Sequence, residues 1–246
     1  MMASVATTPT IPMVFERHEQ KYVMSQSIYQ QLLVALGDEI SVDQYGQQTI
    51  SSLYYDTADY LFARRQLDDS SYREKLRLRV YGSQITAKQA AFVELKKKVQ
   101  GITYKRRIQL SYQAGCDYLG HRGMPMRPQH EMNYREIDHF VQQTALPTRT
   151  AVIYERTAYS SQRGLRVTFD ENIRWRSGDI DLTTTAPTKA LLAPGMVVME
   201  IKIPQALPLA WSQVFARLHL YPQPFSKYGL IYKYGILGGK QCLSAI

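Results

Sequence analysis

The chain has 246 residues, 45% of them apolar and 21% charged, proportions that exclude wholesale disorder, collagen-like repeats and a long coiled coil. Thirty Lys and Arg against 21 Asp and Glu leave +9 at pH 7, so an anionic partner is expected: nucleic acid, a membrane surface or a phosphorylated small molecule. Two cysteines, Cys116 and Cys242, support neither a disulfide framework nor a Cys-rich metal site.

The opening MMASVATTPTIPM lacks the basic start and continuous apolar core of a signal peptide, and residues 1–13 are expected as a flexible tail. Residues 15–23 alternate with the period of a strand, and 25–36 predict a helix capped by Ser25 or Ser27. A strand over 51–55 and a helix over 57–65, following Asp56, come next. Strands are expected at 75–81, 92–99 and 104–112, the last two joined by a hairpin at Gln100-Gly101, with loops over 82–91 and 115–130. A helix over 132–144 precedes strands at 151–159 and 165–170, a loop over 177–194 and a strand at 197–203. Pro208 opens a last helix to 218, and 239–246 are expected as a tail. No repeat or Gly/Ser-rich linker divides 14–238, so a single α+β domain is expected: eight strands in a large antiparallel sheet or barrel, helices peripheral. No apolar run reaches the roughly 18 residues of a spanning helix, and a cytoplasmic protein is expected.

The informative pattern is the polar face of each strand. In KLRLRV, Leu76, Leu78 and Val80 share one face while Lys75, Arg77 and Arg79 share the other. FVELKKK sets Val93 and Leu95 against Glu94, Lys96 and Lys98, and beyond the hairpin Lys105, Arg107 and Gln109 alternate with Arg106, Ile108 and Leu110. Arg156 beside Tyr154, Arg166 against Val167, and Glu200 with Lys202 against Ile201 continue the theme. Solvated sheet faces mix Thr, Ser, Gln, Glu and Lys; here Arg and Lys dominate. Like charges opposite one another on neighbouring strands repel, so such a face calls for a polyanion, with forked Arg and point-charge Lys donors suited to consecutive phosphoryl groups. The sparse carboxylates suit a hard divalent cation shared with phosphate oxygens.

The first strand, FERHEQKY, places Arg17, Glu19 and Lys21 on one face. This resembles the Glu-x-Glu-x-Lys signature of the triphosphate tunnel metalloenzymes, with Arg17 in the first Glu position. Together with LRLRVYG, VELKKK, YKRR, YERTAY, LRVTFD, MEIKIP and PFSKY in family order, it resembles the polyphosphate polymerase branch known from the vacuolar transporter chaperone (VTC) domain. The resemblance implies a CYTH-like tunnel of eight antiparallel strands, charged side chains inward and apolar faces packed outward on helices. It implies phosphate contacts from Arg17, Lys21, Arg77, Arg79, Lys96, Lys105, Arg107, Arg156, Arg166, Lys202, Ser226 and Lys227, with Lys21, Arg77, Arg79, Lys96 and Glu200 closest to the chemistry. Mn²⁺ or Mg²⁺ would sit at Glu200, Glu19 and Glu94 adding ligation or holding the cations, and Asp170 is a weaker candidate of that kind.

The implied reaction transfers the terminal phosphoryl group of ATP, or another triphosphate, to a polyphosphate chain. An inorganic triphosphatase or nucleotide cyclase of the same superfamily, and a non-catalytic polyphosphate-binding module, stand as alternatives. No nucleic-acid partner is expected, since the tyrosines fall where packing explains them; a membrane partner protein is compatible with the family. His18 and His121 lack partners at metal-ligand spacing. The inward basic residues, less Glu19, Glu94, Asp170 and Glu200, account for most of the +9, so the charge is expected inside the fold.

Overall fold

The computed structural model describes residues 18–68, 71–100, 102–120, 131–143, 146–204 and 206–238. Strand β1 (His18–Ser25) ends at a serine whose Oγ accepts from the Ile28 amide at 3.3 Å and so caps helix α1 (Gln26–Leu36). A short turn leads to β2 (Ile40–Tyr55), followed by α2 (Leu61–Arg64), β3 (Tyr72–Tyr81), β4 (Ala90–Val99) and β5 (Ile102–Ser111). Helices α3 (Tyr112–Leu119) and α4 (Glu131–Gln142) precede β6 (Thr148–Ser161), β7 (Arg166–Arg176), the two-residue β8 (Lys189–Ala190) and β9 (Met196–Ile203). Helix α5 (Leu209–Arg217) and the short α6 (Lys227–Leu230), which widens into a π-type turn over Ile231–Ile236, complete the chain.

All strand pairs are antiparallel, in the order β1-β9-β7-β6-β2-β3-β4-β5, with β8 on β7. The sheet curls without closing by hydrogen bonds, which corrects the expectation of a closed barrel: β1 and β5 are its two edges. The first edge is met by the C-terminal segment, and a helix packs against the second strand. The Gln223 amide donates to the Lys21 carbonyl at 2.8 Å alongside β1, and α4 lies on β5.

Three differences from the predicted elements have local causes. The predicted strand end at Tyr112 and the loop from 115 are instead α3, where Ser111 Oγ caps the Ala114 amide at 3.2 Å and Gly115 lets the helix approach Leu78. β2 begins at Ile40 rather than 51; its exposed first half is polar, without alternation, and is held by pairing with β6 across a register shift between Val42 and Gln47. The π-type turn packs directly on the Trp175 indole, where a Cβ at Gly235 would come within 2.2 Å of the ring. The hairpin between β4 and β5 turns at Gln100, with φ of 47°; Gly101 lies outside the described residues.

The outward faces build two cores. Leu76, Leu78, Val93, Leu95 and Ile108 pack under α3 and α4 through Leu119, Ile137 and Val141. Val167, Phe169, Met199 and Ile201 pack under α1 and α5 through Leu32, Trp211 and Phe215. Each fully buried side chain of this kind contributes roughly 1.5–3 kcal/mol, which fixes the strand parity and turns the opposite face inward. That inner face is not wholly charged: Ile50, Tyr54, Val152, Tyr154 and Val198 form a third core with Phe225, Tyr228 and Ile231, so the C-terminal segment fills part of the concave side.

Candidate functional site

Register carries the charged parity across the sheet. Lys21 lies opposite Glu200 and Glu19 opposite Lys202; Arg156 pairs with Asp170; Arg77 faces Glu94, which faces Arg107; Lys75, Lys96 and Lys105 stand abreast on three strands. All of these side chains but Arg107 line a cavity of about 540 Å³ on the concave face, with ten cationic side chains against four carboxylates in its wall. The site is therefore strongly cationic and internal.

Thirteen of the expected residues meet there: Lys21, Arg77, Arg79, Lys96, Lys105, Arg156, Lys202, Ser226, Lys227, Glu19, Glu94, Glu200 and the weaker candidate Asp170. Two stand apart from its wall. Arg166, half exposed, pairs with Asp43 at 3.0 Å, and Arg107 lies 3.5 Å over the Phe92 ring while approaching Glu94 at 3.6 Å. Arg17 lies outside the described residues, as do His121 and Cys242. The cavity adds Lys75, Arg106, Tyr54 and Tyr154 to its wall. Lys75 shares strand parity with Arg77 and Arg79, a signal sufficient to find it; the two tyrosines read as packing residues and have no such signal.

The four carboxylates differ in how they are held. Glu94, with a side chain 1% exposed, is met by Arg77 Nη2 at 2.7 Å, Lys105 Nζ at 2.6 Å, Arg107 Nε at 3.6 Å and Arg79 Nε at 3.7 Å. Burial acts to raise its pKa, but Arg77, Arg79 and Lys105 outweigh that and hold it well below the ordinary carboxylate range. Asp170 takes a bidentate fork from Arg156, at 2.6 and 2.7 Å, and an ion pair from Lys227; these likewise override burial and lower its pKa. Glu19 pairs with Lys96 at 3.0 Å, joining edge strand β1 to β4 by side chains. Among the described residues Glu200 has two cations within ion-pair distance, both loose: Lys202 at 3.5 Å and Lys21 at 3.8 Å. Lys21, Lys202 and Arg156 still outweigh burial and keep it ionised.

The C-terminal segment is fixed from beneath. Ser226 Oγ accepts from the Gly229 amide at 3.3 Å and caps α6, whose first residue is Lys227. Tyr228 stacks on Tyr54 with ring centroids 4.7 Å apart and donates to Asp56 at 2.9 Å. Asp56, fully buried, also accepts from the Phe62 and Ala63 amides, so one carboxylate ties α2 and α6 together. Tyr54 Oη in turn lies 3.1 Å from Arg77 Nη1. Lys21 Nζ donates to the Phe225 carbonyl at 2.8 Å.

Among the described residues no three His, Cys, Asp or Glu side chains are placed to share a metal ion. The donor chemistry nevertheless suits one type of ion. Mg²⁺-like cations are bound through one or two carboxylates plus substrate phosphate oxygens and water, and among the described residues no cation comes closer than 3.5 Å to the Glu200 oxygens, with Glu19 on the same face of the adjacent strand. Glu94 and Asp170 are saturated by cations.

The fold is similar to that of a candidate adenylate cyclase from Bacillus halodurans, 12% identical with a TM-score of 0.52 over 87% of this chain and 96% of that one. A second candidate adenylate cyclase, from Vibrio parahaemolyticus, is 11% identical with a TM-score of 0.44 over 89% and 98%. An inorganic triphosphatase is 14% identical with a TM-score of 0.28 over 81% and 85%. No curated protein matches the sequence. Among the described residues no helix is long and apolar enough to cross a membrane. The VTC domain family matches residues 16–234, a span that holds every strand and cavity residue described above, and the chain belongs to that family.

Proposed function

We propose that the chain is a metal-dependent polyphosphate polymerase, which transfers the γ-phosphoryl group of ATP to a phosphate chain held in the cavity. The observation that carries this reading is the division among the carboxylates: Glu94 and Asp170 are saturated by fixed cations and Glu19 holds one lysine, while Glu200 stays loosely held inside the same cationic wall. A pure anion-binding module has no use for that fourth carboxylate.

In this reading Arg77 and Arg79 present planar forks whose orientation Glu94 and Tyr54 hold, and Arg156 and Lys227 form a second fixed pair on Asp170. Donor and acceptor phosphates held between the two groups lie in a prearranged cationic field, so charge neutralisation requires little reorganisation. A terminal oxygen of the acceptor chain attacks the γ-phosphorus, the bond to the β–γ bridging oxygen breaks, and ADP leaves with that oxygen's electron pair. Lys21 and Lys202 stand beside Glu200 to offset charge on the transferred group. Glu200, with Glu19, would hold Mn²⁺ or Mg²⁺, which when bound supplies a hard positive charge shared with phosphate oxygens. Arg107 and Arg166 remain proposed phosphate contacts away from the central group, and Arg17, outside the described residues, remains one as well.

The test is to incubate purified protein with ATP and Mn²⁺ and to follow ADP, free phosphate and long-chain polyphosphate together. Chain product with matching ADP is expected. Free phosphate alone would replace the reading with a hydrolase, and neither product with retained phosphate binding would replace it with a binding module.

A further inference from the structure

Building on that reading, we propose that Lys75 is a further phosphate-binding residue of the cavity. It stands as an amine when the cavity is empty and takes a proton from solvent as a phosphate chain arrives.

The geometry singles this lysine out. Lys21 and Lys202 have Glu200, Lys96 has Glu19, Arg77, Arg79 and Lys105 have Glu94, and Arg156 and Lys227 have Asp170. Lys75 lines the same wall, yet among the described residues it has no carboxylate within ion-pair distance, only Ser226 Oγ at 3.1 Å. Its cross-strand neighbour is another lysine, Lys96, itself opposite Lys105. Like charges directly opposite on paired strands destabilise a sheet, and a half-buried ammonium with no counter-ion adds to that cost. Losing the proton relieves both.

The surroundings act in that direction. Burial is the main effect lowering the Lys75 pKa well below that of a free lysine. Lys21 from β1, Lys96 from β4 and Arg77 on its own strand add to it, and Glu200 from β9 opposes it. Lys105 of β5 lies beyond Lys96, and the head of α6 presents the Ser226 hydroxyl. A neutral Lys75 accepts from that hydroxyl; an ammonium donates to it and frees the serine hydrogen, so Ser226 Oγ keeps its cap on Gly229 in both states. Phosphate oxygens between Lys75, Lys96 and Lys105 would replace mutual repulsion by charge-assisted hydrogen bonds and restore the proton, which the buffer supplies.

Calorimetric titration of inorganic triphosphate between pH 7 and 9, with EDTA and in Tris and HEPES, tests this in the full chain. The wild type is expected to show buffer-dependent heat that reports proton uptake on binding. Lys75→Met should weaken binding about tenfold and remove part of that uptake, with an unchanged or higher Tm because a half-buried amine facing other cations is gone. Lys75→Arg, permanently charged, should retain most of the affinity but none of that share of uptake, and Lys105→Arg run in parallel subtracts the contribution of Lys105. Wild-type affinity and wild-type buffer dependence in Lys75→Met would overturn this proposal alone. Failure of the wild type to bind triphosphate would overturn the phosphate-chain reading, and this proposal with it.

Discussion

Glu94 and Glu200 face the same cavity from opposite parts of the sheet, and their surroundings differ in kind. Around Glu94, on β3, β4 and β5, four cations converge on one carboxylate that solvent barely reaches. Around Glu200, on β1 and β9, two lysines stand off at 3.5 and 3.8 Å and the carboxylate is 20% exposed. A cationic wall is costly to assemble without a ligand, so part of it carries its own counter-charge. The other part leaves a carboxylate with coordination capacity to spare. The first arrangement builds a cradle; the second leaves room for chemistry.

The comparison can be broken most forcefully at Glu94. Glu94→Gln strips the shared counter-charge from buried Arg79 and partly buried Arg77 and leaves a buried neutral amide among cations, and is expected to cost about 3 kcal/mol in urea unfolding, whereas Glu200→Gln should cost less than about 1 kcal/mol. Equal losses would erase the distinction between the two regions. At Glu200 the effect should appear in turnover instead: Glu200→Gln should lower metal-dependent rates by about a hundredfold or more. A variant as active with Mn²⁺ as the wild type would remove the role given to this carboxylate.

The cradle itself is probed by Arg77→Ala and Arg79→Ala, each expected to weaken triphosphate binding roughly tenfold, with the loss shrinking as salt rises. Lys97→Ala, one residue from Lys96 but on the outward face against Glu136 at 3.4 Å, should stay within about twofold of wild type. If Lys97 matters as much as Lys96, the register is wrong.

The smallest expected effect is on pH dependence. Burial, with Arg77 and Arg79, brings the Lys105 pKa down from 10.5 to about 8 against the pull of Glu94. Triphosphate affinity should therefore fall a few-fold from pH 7 to 9, and less in Lys105→Arg. For stability the sign reverses. Above pH 8 the unfolded chain keeps this proton while the folded one has lost it, so the ligand-free protein gains stability from this group as pH rises toward 10.5. An affinity that rises with pH would contradict the assignment.

Strand parity was legible in the sequence because charge alternates with apolar residues that two helical layers require for their cores; VELKKK alone places Glu94 and Lys96 inward and Lys97 outward. Sheet closure was not legible, since it depends on what occupies the edges, and the Gln223–Lys21 backbone contact joins residues about two hundred positions apart. The inner apolar core was hidden for the same reason: Tyr54 and Tyr154 have ordinary strand parity, and only α6 reveals what they stack on or support. Lys75 was visible by period but lies outside the motif positions that the family resemblance supplied. Helix α3 was missed because its glycine reads as a breaker until Leu78 is set against it.

The central claim, that the interior positive charge is a phosphate-chain site with its metal position at Glu200, is tested most directly by titrating inorganic triphosphate into wild type and Glu200→Gln, each with EDTA and with Mn²⁺. Equal binding in EDTA, strengthened by Mn²⁺ in the wild type alone, is the expected result. Strengthening of the same size in both proteins, or no binding by either, would contradict it.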